Sequence, residues 1–194
     1  MNYLAHLFLS DPEPLAWSGS LMGDFLKGPI PTGLPEQLSR HLRLHRRIDA
    51  YTQESPAFQD SRLRLDPRYR YARSILVDVF YDHFLAQQWE RYAEIPLLAY
   101  TQQVYQGLMH CHAYLSEPLQ QQLPRMIEHN WLYSYRRPEI VERVLRRLEE
   151  RLKGRFPLVE GYAELEAQRE SLEEDFSRFM GDIIPLVRAW KTEF

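Results

Sequence analysis

The stretch Ser74-Ile-Leu-Val-Asp78-Val-Phe-Tyr-Asp82-His83-Phe-Leu85 is among the most apolar in the chain, yet it holds three ionisable side chains. Read as a helix at about 100° per residue, it projects Asp78 and Asp82 roughly 40° apart on one face. Asp82 falls between Tyr71 and Ile75, and His83 falls between Ala72 and Leu76, so neither sits on a solvated face. A buried carboxylate must be paired, hydrogen-bonded or bound to a metal, because a bare one is very costly. Two readings stay open for this triplet. Carboxylates beside an imidazole suit a divalent cation such as Mn²⁺ or Mg²⁺; a buried Asp–Arg pair with a core histidine accounts for them equally well.

Outward from this segment the pattern is helical nearly throughout. Sustained alternation, Asn-Gly or Asp-Gly hairpin turns and long β-branched runs are missing, so strands are not expected. Proline and glycine divide the chain into helices expected over roughly 2–10, 14–27, 35–53, 55–65, 68–92, 96–114, 117–133, 138–153 and 157–191. The last is expected to break near Gly181 or Pro185. Gly28-Pro-Ile-Pro-Thr-Gly-Leu-Pro35 cannot be a regular element; it is either a wall to a site beside Asp24 or a plain helix–helix connection. A chain of 194 residues, 44% hydrophobic and 13% aromatic, fits one all-α domain with a real core.

Net charge is −3, so no global charge points to nucleic acid or an anionic membrane. The single cysteine, Cys111, excludes an intramolecular disulfide and a cysteine zinc cluster and is consistent with a reducing compartment. The apolar opening Met1–Ser10 lacks a basic leader and a small-residue cleavage pattern, so a signal peptide is not expected. No run reaches the roughly 20 apolar residues that span a bilayer. A cytoplasmic, soluble protein is the expectation.

Further polar groups recur at helical spacing. His41, His45 and Asp49 fall within about 80° of one another, beside Leu38 and Leu42, while Arg43, Arg46 and Arg47 project from the other side. Such a His–Asp pair can bind a metal, or one member can orient the other; a plain helix pair is the alternative. Asn2 and His6 stand at i, i+4 in the first helix, and Asp24 ends the run Trp17-Ser-Gly-Ser-Leu-Met-Gly-Asp24, whose Gly19, Ser20 and Gly23 permit close approach. Taken singly, these are a core histidine and a cap or surface charge. Taken together, His6, Asp24, His45, Asp49, Asp78, Asp82 and His83 are hard to satisfy pairwise, and one or two metal ions would satisfy them jointly. With no thiolate ligand, hydrolysis is the expected task. A nucleophile elbow, a P-loop, a dinucleotide glycine pattern and an H-E-x-x-H helix are all absent. Cys111, between His110 and His112, has no local group to orient it as a nucleophile.

These residues resemble the acyl carrier protein phosphodiesterases, which look like distant relatives of the HD-domain metal phosphohydrolases. The matching elements are Asn2-Tyr-Leu-Ala-His6-Leu7, Gly19-x4-Asp24-Phe25 followed by Lys27-Gly28, His45-Arg-Arg-Ile-Asp49, and Asp78-x3-Asp82-His83-Phe84. The resemblance implies an all-helical, HD-phosphohydrolase-like bundle that removes the 4′-phosphopantetheine arm from the serine of holo-acyl carrier protein, with a divalent cation, typically Mn²⁺. It implies His6, Asp24, His45, Asp49, Asp82 and His83 as metal or catalytic residues, with Asp78 as a further ligand candidate. The mechanism expected here puts Asp82, His83, Asp24, His6 and Asp78 on the metal and leaves His45, Asp49 and His41 for catalysis, a histidine protonating the leaving serine oxygen. The order Asp82-His83 reverses the His-Asp pair for which the HD superfamily is named.

Acyl carrier proteins are small and acidic, so a local basic surface is expected. Arg43, Arg46 and Arg47 are favoured because they share a helix with His45 and Asp49; the groups Arg62 to Arg73 and Arg136 to Arg147 are the alternatives. Two other functions remain on the same residues: a phosphohydrolase for nucleotides or other small phosphate esters, and a helical binding module without a metal.

Overall fold

The computed structural model describes residues 3–193, so Asn2 lies outside the described residues. The regular structure among them is helical, with no strand. In chain order the helices are α1 (Tyr3–Leu9), α2 (Pro14–Met22), α3 (Glu36–Glu54), α4 (Pro56–Arg64), α5 (Ala72–Gln87), α6 (Leu97–His110), α7 (Glu117–Glu128), α8 (Trp131–Ser134), α9 (Pro138–Arg151), α10 (Gly161–Ala167) and α11 (Arg169–Thr192). Proline opens several of them: Pro14, Pro56 and Pro138 stand first, where the missing N–H has no intrahelical partner to lose.

The quoted segment becomes α5, the centre of an all-α bundle. Its apolar residues cover every face, so it buries Leu76, Val77, Val79, Phe80, Tyr81, Phe84 and Leu85 together with Asp82 and His83. Helices α1, α4, α9 and α11 pack around it. In contrast, α3 is amphipathic: Leu38, Leu42, His45, Ile48 and Thr52 face inward, and its arginines face outward. The tightest helix pair is α2 on α3. Gly19 makes this possible, since a Cβ there would stand 2.2 Å from the Leu38 carbonyl oxygen.

Boundaries differ from expectation in instructive places. The helix expected over 68–92 begins at Ala72, because Arg70 takes a left-handed φ of 50° after a 3-10 turn, and a second 3-10 turn follows it at Trp89–Arg91. The one expected over 117–133 is divided at Asn130, also left-handed with φ 43° and ψ 57°.

The C-terminal break falls at Gln168 rather than at Gly181 or Pro185. Pro185 removes the hydrogen bond to the Gly181 carbonyl, but both residues lie on the exposed face, where that carbonyl is open to solvent. The opposite face, carrying Phe176, Phe179, Met180, Ile183, Val187 and Trp190, is buried, and α11 continues past the proline. Among the described residues, no helix is long and apolar enough to cross a membrane.

Candidate functional site

Helix α3 sets the site. His45 and Asp49 are one turn apart, and the His45 Nε2 lies 3.2 Å from Asp49 Oδ2. Helix α1 brings His6 against them: its Nε2 is 3.0 Å from the other carboxylate oxygen, Oδ1. The two imidazoles stack with centroids 3.7 Å apart and planes within 18°. Gly23, at the end of α2, is what lets His45 sit there, because a Cβ at that position would stand 2.2 Å from the ring.

Burial, reinforced by the neighbouring His45, lowers the His6 pKa to about 3, so its ring is neutral at pH 7. Asp49 is 45% exposed. Burial of its remainder works to raise its pKa, but the hydrogen bonds from His45 and His6 prevail and hold it far below the usual carboxylate range. Each Nε2–H therefore donates to an ionised carboxylate, which leaves the buried Nδ1 atoms of both rings without a hydrogen-bond partner. One ligand atom from each of His6, His45 and Asp49 lies within 4.8 Å of the other two. Two imidazoles and a carboxylate at that spacing form a donor set that a divalent cation accepts.

More carboxylates surround this group. Asp24 shows an exposed surface, yet its carboxyl is crowded: desolvation, the largest influence, raises its pKa against the attraction of His45, and Asp49 and Asp78 raise it further. Asp78 is raised mainly by burial, with Asp49 contributing. Asp24 and Asp78 thus share the electrostatic field of the His6–His45–Asp49 group.

Asp82 and His83 stand differently. Asp82 is fully buried and accepts from the Leu4 N–H at 2.8 Å and the Ala5 N–H at 3.0 Å, so it ties the start of α1 to α5. Burial raises its pKa to about 7, against the pull of those two hydrogen bonds. His83 donates from Nδ1 to the Tyr135 carbonyl at 2.7 Å. Among the described residues neither joins the ligand-spaced group, which draws instead on His45 and Asp49 beside His6. Successive residues of one helix diverge by about 100°, so Asp82 and His83 serve different neighbours.

His41 also has a network of its own. It accepts from Ser10 Oγ at Nδ1 (3.0 Å) and donates from Nε2 to Asp11 Oδ2 (2.9 Å), while Lys191 pairs with the other Asp11 oxygen at 2.9 Å. This links the end of α1, the middle of α3 and the end of α11. The three α3 arginines expected to dock the partner are likewise engaged within the molecule. Arg43 pairs with Glu36 at 2.7 Å, Arg46 donates to the Gly28 carbonyl at 2.6 Å, and Arg47 pairs with Glu193 while lying 4.3 Å over the Trp190 ring.

Sequence reasoning missed Tyr3. Desolvation raises its pKa and so does Asp24, while a hydrogen bond to Gln122 and the charge of Arg151 act the other way. The phenol thus feels charges from both the carboxylates and α9. Residues so far apart in the chain carry no spacing signal.

The family model described as acyl carrier protein phosphodiesterase matches residues 1–183. Curated relatives named acyl carrier protein phosphodiesterase, from Salmonella agona (strain SL483), Salmonella dublin and Salmonella newport (strain SL254), are each 30% identical over 187 residues. Each of these alignments covers 92% of this chain and 93% of the relative. No solved structure matches. With a family match over nearly its whole length and a site assembled from the elements that carry the resemblance, the chain belongs to the acyl carrier protein phosphodiesterase family, a family of phosphoric diester hydrolases.

Proposed function

We propose that this chain hydrolyses the phosphodiester joining 4′-phosphopantetheine to the serine of holo-acyl carrier protein, using a divalent cation, with Mn²⁺ favoured, held by His6, His45 and Asp49. Apo-carrier protein and 4′-phosphopantetheine are the products. When bound, such a cation supplies a lowered pKa for coordinated water and neutralises charge on a phosphoryl oxygen. The observation that carries the reading is the convergence of two stacked imidazoles on one ionised carboxylate, with unpartnered ring nitrogens in a buried site.

In this reading Asp49, within hydrogen-bond distance of both Nε2 atoms, gathers the two rings to one point, where the cation would take the place of the Nε2 hydrogens and each ring would carry its hydrogen on Nδ1. Asp24 and Asp78 add negative charge beside the same group and are the next candidates to contact the cation. Asp82 acts through α1, whose first turn it anchors, and so positions His6. His41 braces α3 against the α1–α2 turn. Residues 1–194 work as one unit, and a cytoplasmic location goes with a carrier-protein substrate and the free, buried Cys111.

Intact-protein mass spectrometry of holo-acyl carrier protein tests this, with Mn²⁺ or with chelator. Conversion to the apo mass with Mn²⁺, lost with chelator and in His6→Ala and His45→Ala, is expected. Conversion that survives both chelation and His6→Ala overturns the metal assignment. An unchanged holo mass with Mn²⁺ bound overturns the substrate and leaves a small phosphate ester in its place.

A further inference from the structure

Helix α9 carries acids and arginines together, and several of its acids are already engaged. Glu142 pairs with Arg146 at 2.6 Å, Glu139 lies 3.8 Å from Arg137, and Glu149 accepts from the Val159 N–H at 2.9 Å. Arg143, Arg147 and Arg151, spaced i, i+4, i+8, form one exposed stripe, and among the described residues none of them pairs with a carboxylate. Beside the stripe, α7 contributes Arg125, also exposed. Between the two helices lies a groove of about 510 Å³ lined by Gln121, Gln122, Arg125, His129, Trp131 and Arg147. Arg147 lies 5.3 Å over the Trp131 ring, which keeps its charge at the groove wall.

The groove and the site share a neighbour in Tyr3. Gln122 lines the groove, and the electrostatic influences on the Tyr3 phenol come both from Gln122 and Arg151, the last residue of the stripe, and from Asp24 beside the site. We propose that Arg143, Arg147 and Arg151 of α9, with Arg125 of α7, dock an acidic helical face of the carrier protein, so that its prosthetic arm passes Tyr3 to reach His6, His45 and Asp49. This rests on the function proposed above.

The occupant follows from charge and length. Eight residues of helix span about 12 Å, too far for one phosphate to bridge Arg143 and Arg151, so the stripe matches a row of anions. Carboxylates on a facing helix repeat at the same interval as the arginines. The net charge of −3 disfavours a polyanion or an anionic bilayer, which would meet the whole molecule's field rather than one face. The arginines of α3, already engaged by Glu36, Gly28 and Glu193, have less charge to offer.

The test pairs turnover of holo-carrier protein with binding of labelled apo-carrier protein, for wild type, Arg143→Glu/Arg147→Glu and the exposed α11 control Arg188→Glu. Circular dichroism melts check that each variant folds. The stripe variant should raise KM and Kd at least about tenfold, keep kcat within about twofold, and flatten the salt dependence of kcat/KM. The control should stay within about twofold of wild type. Unchanged KM and Kd in the folded stripe variant overturn the proposal, as does an equal loss in Arg188→Glu. So does stripe-dependent binding to anionic vesicles or an oligonucleotide with KM unmoved. Stripe-dependent binding of apo-carrier protein without any wild-type turnover would support the docking face and defeat the proposed reaction.

Discussion

Gly23→Ala should separate the chemistry of this protein from its stability. Gly23 has helical φ and ψ of −54° and −35°, so alanine meets no backbone strain. Its Cβ would nevertheless stand 2.2 Å from Cδ2 and Cγ of His45 and 2.6 Å from Nδ1. Carbon atoms pack best about 3.5–4.0 Å apart, so the ring must retreat by about 1.5 Å. His45 is confined by the His6 ring at 3.7 Å and held to Asp49 by a bond already 3.2 Å long, and that bond breaks when the ring retreats.

Overpacking costs about 1–3 kcal/mol, partly offset by about 1 kcal/mol for replacing glycine at a helical position. The variant should therefore fold, losing no more than about 2 kcal/mol. Misplacing a functional group by about 1 Å costs on the order of 100-fold in rate, so kcat/KM for holo-carrier protein should fall by at least that factor. Urea denaturation and intact-mass kinetics on the same preparation read the two effects. A Gly23→Ala enzyme within about threefold of wild-type kcat/KM would refute the claim that the placement of His45 matters.

Gly19→Ala should act on stability instead. Its Cβ would meet the Leu38 carbonyl oxygen at 2.2 Å, and a backbone atom yields only if α2 moves, so a loss of about 1–3 kcal/mol in urea denaturation is expected. Asp82→Ala leaves the buried N–H groups of Leu4 and Ala5 bare, at a cost of about 2–4 kcal/mol, whereas Asp82→Asn retains one acceptor and should recover part of it; a melt of Asp82→Ala at the wild-type temperature would contradict that anchor.

Asp175, 1% exposed, accepts from Arg64 at 2.7 Å, Arg178 at 2.6 Å and Ser61 at 3.0 Å. Asp175→Ala should cost about 3 kcal/mol, the lower end for a buried pair because both guanidinium partners are open to solvent. Burial opposes ionisation there, but the bonds from Arg64, Arg178 and Ser61 outweigh it and hold the pKa below the ordinary value. The stabilisation is therefore present above about pH 3.9, the unfolded value, and is lost as pH falls through the lower folded one. Asp175→Ala should show a flatter fall in stability below pH 4 in a pH series of urea melts.

The all-helical architecture was legible because every local signal agreed: prolines at helix starts, apolar residues at helical spacing, and no alternation. The family was legible too, from four short motifs in chain order. The candidate site was readable only as a set. His6, His45 and Asp49 were all named in advance, yet the expected centre of the metal group lay on Asp82 and His83, the two most deeply embedded polar residues of α5. Their embedding was read correctly, but what each of them meets is decided by α1 and by the Tyr135 carbonyl, which α5 alone cannot reveal. Arg43, Arg46 and Arg47 were favoured as a docking face because they share a helix with His45 and Asp49; Glu36, Gly28 and Glu193, brought there by the fold, engage them.

Local chemistry in this chain therefore determines which residues form helices, where most of them start, and which polar groups must find a partner. Those properties depend on neighbours within about one turn, where backbone hydrogen bonds and side-chain spacing act. The tertiary structure alone decides the partners. His6 and Asp49 are 43 residues apart, and Leu4 and Asp82 are 78 apart. The Gly23 gap that admits the His45 ring exists only once α2 has closed on α3. Contacts at such separation are set by how helix faces fill space together, which no short stretch of sequence encodes by itself.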